Sequence, residues 1–135
     1  MYASPDYLAS APPIATIEDL KDHRFVGYFE DMQFAHDLDT PPYLAASPYR
    51  FLSSSLVALY EAVLAGVGIC LLPSYLIKPG TTLQRVLPSE VMMTRQIWMT
   101  VHSDLKDIAR YRAVADFIRH TFASHRNLFM PCEGS

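Results

Sequence analysis

The sequence contains no run of about 18 apolar residues, so no membrane-spanning helix is expected. No basic stretch leading into an apolar one opens it, so no secretion signal is visible. Cysteine is scarce, with only Cys70 in an apolar run and Cys132 in the tail. That pattern argues against a disulfide between them and fits a reducing cytoplasm. Basic charge is not in excess either: 11 Lys and Arg against 14 Asp and Glu leave a net charge of −3. A basic footprint for nucleic acid is therefore missing.

Catalytic patterns are absent too. There is no Gly-x-Ser-x-Gly elbow to expose a nucleophilic serine. Cys70 lies among apolar residues, where a thiol is usually inert. The five histidines pair with no carboxylate at a readable spacing. Gly66-Val67-Gly68 is too short for a phosphate loop and stands at a helix end. His36, Asp37 and Asp39 lack the second cluster that a closed metal site needs. These gaps exclude the mutually placed groups of an active site, and no enzyme activity, cofactor or metal is expected.

What is present is a core. Half of the 135 residues are hydrophobic, enough for one compact unit and against disorder. The most informative stretch is residues 50 to 73. Phe51 and Leu52 end a short apolar run. Ser53, Ser54 and Ser55 follow, suited to cap a helix because a hydroxyl accepts from the open N–H groups of the first turn. Leu56, Leu59, Tyr60, Val63, Leu64 and Val67 then form one apolar face at helical period. Gly66 stops the helix by accepting a left-handed backbone. Ile69 to Leu72 is short, wholly apolar and closed by Pro73, as a strand buried on both faces would be. Strand, helix and strand predict a right-handed crossover. The serine run should lie beyond the carboxyl end of a strand, where hydroxyls and a helix N-terminus favour an anion.

Elsewhere, Ser4-Pro5-Asp6 reads as a helix start and Thr16 with Asp19 as a capping box with Leu20 toward the core. Arg24 to Phe29 reads as a strand, with Gly27 marking a bulge or a close approach. Pro41-Pro42 could open a brief helix. Leu83 to Leu87 alternates like a strand. Gln96 to His102 does so more strongly, with Ile97, Met99 and Val101 on one face and Trp98 on the other. Ser103 or Asp104 should cap a last helix whose stripe is Leu105, Ile108, Tyr111, Ala115, Ile118 and Phe122. Residues from Asn127 onward should fray.

The stretch from Ser53 to Pro73 resembles the effector-binding domain of LysR-type transcriptional regulators, which shows a polar cap segment, an amphipathic helix, Ala-Gly-x-Gly-Ile, an apolar strand and Leu-Pro. Tyr2-Ala-Ser-Pro-Asp-Tyr-Leu8 resembles the segment with which those domains cross from their first subdomain to their second, and Thr16 to Leu20 the short helix that follows. The resemblance implies an α/β, periplasmic-binding-protein-like (type 2) fold with a mostly parallel sheet flanked by helices. Residues 1–95 would be the second subdomain, 96–125 a strand and helix returning to the first, and 126–135 a flexible tail. The rest of the first subdomain and the winged helix-turn-helix would lie outside this chain.

The function so implied is effector binding and oligomerisation in a regulator, with DNA contacted only through the absent domain. Expected partners are a small organic acid or other anionic effector and further copies of the chain. The effector-binding residues carried over are Ser53, Ser54, Ser55, Tyr28, Phe29, Gly66, Val67, Gly68 and Ser4. Many members carry Asn where Ser53 or Ser54 stands. A solute-binding protein of a transport system, which shares the fold, is the alternative.

Overall fold

A computed structural model describes residues 1–28 and 48–130. It divides into two units, Met1–Met92 and Met93–Ser135.

The first unit is built on short strands: β1 (Tyr2–Ala3), β2 (Phe25–Gly27), β3 (Tyr49–Leu52) and β4 (Gln84–Arg85). β2 pairs with β3 in parallel, and β1 pairs with β4 antiparallel. Ile69 and Cys70 join the two pairs. The Val26 N–H donates to the Ile69 carbonyl at 2.8 Å, and the Ile69 N–H donates to the Arg24 carbonyl at 2.9 Å. On the other side Tyr2 and Cys70 exchange both backbone bonds, at 2.8 and 3.0 Å. The order is therefore β3, β2, Ile69–Cys70, β1, β4. Two of these contacts are parallel and two antiparallel, so the expected mostly parallel sheet is a mixed one. The cause is the direction of β1, which enters against the strands that follow it and which β4 then opposes. β3 and Ile69–Cys70 flank β2, so the connection between them passes over β2.

Side chains alternate across this sheet with the strand period of two. Ala3, Phe25 and Ile69 enter one core with Tyr7, Leu20, Val86 and Leu87. Tyr2, Val26 and Cys70 enter the other with Leu59, Val63, Leu72 and Leu83. Burial on both faces explains the uninterrupted apolar run at Ile69 to Leu72. Each fully buried apolar side chain contributes about 1.5–3 kcal/mol.

Helices cover each face. α1 (Pro5–Ser10) starts as the sequence indicates, with the Ser4 hydroxyl accepting from the Tyr7 N–H at 3.3 Å. A 3-10 turn over Ile17–Asp22 follows, its Asp19 carboxylate accepting from Thr16 N–H at 2.8 Å and Ala15 N–H at 2.9 Å. Leu20 from this turn is fully buried. α2 (Leu56–Leu64) lies on the second core, burying Leu59 and Val63. Gly66 ends it at φ +74°. A register shift between Phe25 and Val26 and the Tyr49 ring against Gly27 account for the glycine inside β2. The expected strand at Leu83 to Leu87 shrinks to Gln84–Arg85, because Leu87 adopts φ +48° and turns the chain.

The second unit departs further from expectation. Gln96 to His102 forms no strand among the described residues. A strand exists only through the partner that takes its backbone hydrogen bonds, and alternation alone supplies none. α3 spans Ala109–Ser124, starting after Ile108 with no side-chain cap. The two expected caps are engaged elsewhere: Ser103 Oγ donates to Asp104, and the Asp104 N–H donates to His102 Nδ1. Such local bonds compete with helix initiation. A further helix, α4 (Arg126–Phe129), forms where fraying was expected, and Phe129 stacks on Phe122 with ring centroids 4.5 Å apart. The expected helix at Pro41-Pro42, the His36, Asp37 and Asp39 group, Phe29 and Cys132 lie outside the described residues.

Candidate functional site

The carboxyl ends of β2 and β3 lie side by side. The Ser53 N–H donates to the Gly27 carbonyl at 3.0 Å, which sets the serine run beside Tyr28. Within the run the hydroxyls differ. Ser53 Oγ accepts from the Ser55 N–H at 3.1 Å, and Ser55 Oγ accepts from the Ala58 N–H at 3.4 Å as the cap of α2. Both therefore hold the turn, while each keeps its own O–H proton to donate. Ser54 is exposed and makes no side-chain hydrogen bond among the described residues. Capping and ligand contact are thus compatible here: three O–H donors stand at the positive end of a helix dipole.

Tyr28 is half-buried and packs against the α2-side core. Burial pushes its phenol up to about 12, with smaller contributions from Cys70 and Tyr75. It is therefore a neutral donor at neutral pH. Tyr75 was not singled out from the sequence. Its only signal there was position, directly after the strand that ends at Leu-Leu-Pro. Cys70 lies below, buried, its thiol pushed up to about 12 by that burial. It is an unreactive core group, as its apolar surroundings in the sequence indicate.

The remaining sequence-derived residues gather elsewhere. Tyr2 opposes Cys70 in antiparallel register, so Ser4 falls at the amino end of the Ile69–Cys70 segment. A Cβ on Gly66 would stand 3.5 Å from Ser4 Oγ. A Cβ on Gly68 would strike the Arg24 carbonyl, at the start of β2. Ser4, Gly66, Val67 and Gly68 thus mark the opposite end of the sheet from Tyr28 and Ser53. Three residues of β2 separate the two ends, about 10 Å of strand. The first group explains itself structurally. Ser4 is a buried cap, Gly66 a left-handed helix stop and Gly68 a point of close backbone contact.

Among the described residues no cluster of His, Cys, Asp or Glu could hold a metal ion. No described helix is long and apolar enough to cross a membrane.

Comparison with curated proteins returns no match, and neither does comparison with solved structures. A protein-family model does match. It is the LysR substrate binding domain, and it covers residues 1–123. That span holds both strand pairs, the serine run, α2 and all but the last residue of α3. The chain belongs to the LysR substrate-binding-domain family.

Proposed function

We propose that this chain is the effector-sensing part of a LysR-type transcriptional regulator and that it binds a small organic acid or other anion at Ser53 to Ser55 with Tyr28. Family membership supports effector binding. The observation that carries the site is the Ser53 N–H to Gly27 carbonyl bond, which puts three hydroxyls and a neutral phenol at adjoining carboxyl ends of parallel strands. Ligands of open α/β sheets bind at such ends. A net charge of −3, with no basic excess to meet phosphates, supports sensing over DNA contact. The unit Met1–Met92 corresponds in this reading to the second subdomain, and the helix of the other unit to the element that returns to the first. The free, buried Cys70 fits a cytoplasmic setting. A transport solute-binding protein is not favoured, because the matching family is that of the regulators.

The test is a thermal-shift and calorimetric screen of the chain against mono- and dicarboxylates, benzoate, sulfate and phosphate. A Ser53→Ala/Ser54→Ala/Ser55→Ala variant should lose the affinity of any hit by about tenfold or more, since charge-assisted hydrogen bonds are the strong ones. Ser54→Ala alone should weaken the hit with no loss of stability, because that hydroxyl caps nothing. Unchanged affinity in the triple variant would remove the serines from the site.

A further inference from the structure

A second concavity lies on the α1 side of the sheet, away from the serine run. Leu8 of α1, the Pro12 to Ile14 stretch and the Arg85 to Glu90 stretch surround a volume of about 480 Å³. That is within the range of small-molecule sites, roughly 300–1,000 Å³. Its walls mix apolar and polar surface, and Leu8 and Ile14 pack against the buried core beneath. Pro12, Pro13 and Pro88 fix three of the wall residues' φ angles.

Two features of this hollow go beyond packing. Arg85 and Glu90 line it with opposite charge, yet neither forms an ion pair with the other or with any described residue. The wall between them also contains Leu87 at φ +48°. A leucine rarely takes this left-handed backbone, least of all immediately before a proline. The surrounding structure holds it there. Its side chain is buried, and its carbonyl accepts the Val91 N–H at 2.9 Å. Backbone strain of this kind concentrates at ligand clamps. Here it bends the chain so that Arg85 and Glu90 share one rim without meeting.

We propose that this hollow is a second small-molecule site, separate from the serine site, and that it takes a zwitterion with an apolar body, as an aliphatic amino acid is. Arg85 receives the carboxylate, Glu90 receives the ammonium group, and Leu8, Ile14 and Leu87 receive the hydrocarbon. A ligand with a single charge leaves one of the two rim groups unmatched. A neutral apolar ligand leaves both.

The experiment follows methyl resonances of the 135-residue chain during titration with L-leucine, leucinamide, N-acetylleucine and 3-methylbutanol. Saturable shifts at Ile14 and Leu87 are expected with leucine. Affinity should fall about tenfold when either ligand charge is removed, one ion pair being worth about a factor of ten. Arg85→Gln should abolish the preference for leucine over leucinamide, and Glu90→Gln the preference over N-acetylleucine. Ile14→Trp should fill the hollow and remove the shifts, while the triple serine variant should leave them unchanged. Absence of saturation with leucine, equal binding of 3-methylbutanol, or retention of binding in Ile14→Trp would each overturn the proposal. The ligand series alone decides the matter if a rim variant fails to fold.

Discussion

The Tyr7 hydroxyl lies 3.0 Å from His23 Nδ1 and also accepts the Arg24 backbone N–H at 3.0 Å. One phenol thus ties α1 to the end of the 3-10 turn and to the start of β2. Which of the two groups donates in the Tyr7–His23 bond follows the imidazole tautomer. His23 Nε2, on the other side of the ring, is buried and has no hydrogen-bond partner among the described residues. The Arg24 guanidinium covers the Tyr7 ring at 5.1 Å from its centroid. Tyr7→Phe removes both hydrogen bonds, leaving His23 Nδ1 unpartnered in a buried place and the Arg24 N–H in a partly exposed one. The expected loss is about 2–4 kcal/mol, at 1–3 for a first unsatisfied group and somewhat less for a half-exposed second. Urea unfolding measures it, and a loss under about 0.5 kcal/mol would show that water reaches both groups.

The same region makes stability depend on pH. Burial lowers the His23 imidazole, against the opposing pull of Asp22 and Asp19. The unfolded chain therefore binds more protons as the imidazole titrates, so stability rises with pH through that range and is complete above the ordinary histidine value. His23→Gln should flatten the rise in a urea-unfolding series from about pH 5 to 8. A profile that falls with pH there would contradict the burial of the imidazole.

Two glycines separate backbone conformation from space. Gly66 sits at φ +74°, but a Cβ there meets nothing closer than Ser4 Oγ at 3.5 Å. Gly66→Ala should therefore cost only the left-handed strain, about 1–2 kcal/mol. At Gly68 the added carbon runs into the Arg24 carbonyl, whose oxygen accepts the Ile69 N–H. Gly68→Ala must part Ile69 from β2 and should cost clearly more, about 3 kcal/mol or above, as overpacking against backbone does. If the two variants melt at the same temperature, the close approach is wrong.

How much of this was legible in the sequence depends on where the deciding partner sits. Caps and stops are local, and Ser4, Asp19, Ser55 and Gly66 act as their neighbours in sequence imply. The two-faced burial of Ile69 and Cys70 was readable from an unbroken apolar run. Strand direction was not, because it depends on Tyr2 and Arg85 meeting across 83 positions. The spread of Ser4 and the glycines to the far end of the sheet was hidden for the same reason. A motif keeps its residues in order but does not show which end of a strand they reach. Gln96 to His102 failed differently. Its alternation was plain, yet a strand needs a partner's N–H and C=O groups, and a single segment cannot show whether one is present. The Arg85–Glu90 rim went unnoticed since nothing in the spacing announces that Leu87 turns left-handed.

Ser55 offers a separate check on α2. Ser55→Ala removes the hydroxyl that accepts from Ala58, with an expected cost of about 1 kcal/mol. Ser55→Asp should retain the cap and restore stability, while placing a negative charge beside the proposed anion site. The reading is supported by an Asp variant that is stable but no longer binds the anion. An Asp variant that binds as well as the parent would mean the anion sits elsewhere.

The second unit presents apolar side chains to solvent. Phe117 is 70% exposed and Val114 58% exposed on α3, and Trp98 is 80% exposed in the segment before it. Only Ala115 on that helix is buried. Single exposed apolar residues are ordinary, but several large ones within one 43-residue unit (Met93–Ser135) are the mark of an association surface. The chain should therefore self-associate as concentration rises, through this unit. Light scattering from about 1 to 100 μM tests it, a range in which exposed apolar surface drives aggregation. Val114→Asp/Phe117→Asp should shift the equilibrium to monomer, because association would then bury unpaired carboxylates. The control is Val57→Asp on α2, an equally exposed apolar site of the first unit at 64%, which should leave association unchanged. A monomer throughout, or dissociation by the control as readily as by the α3 variant, would move the association surface away from α3.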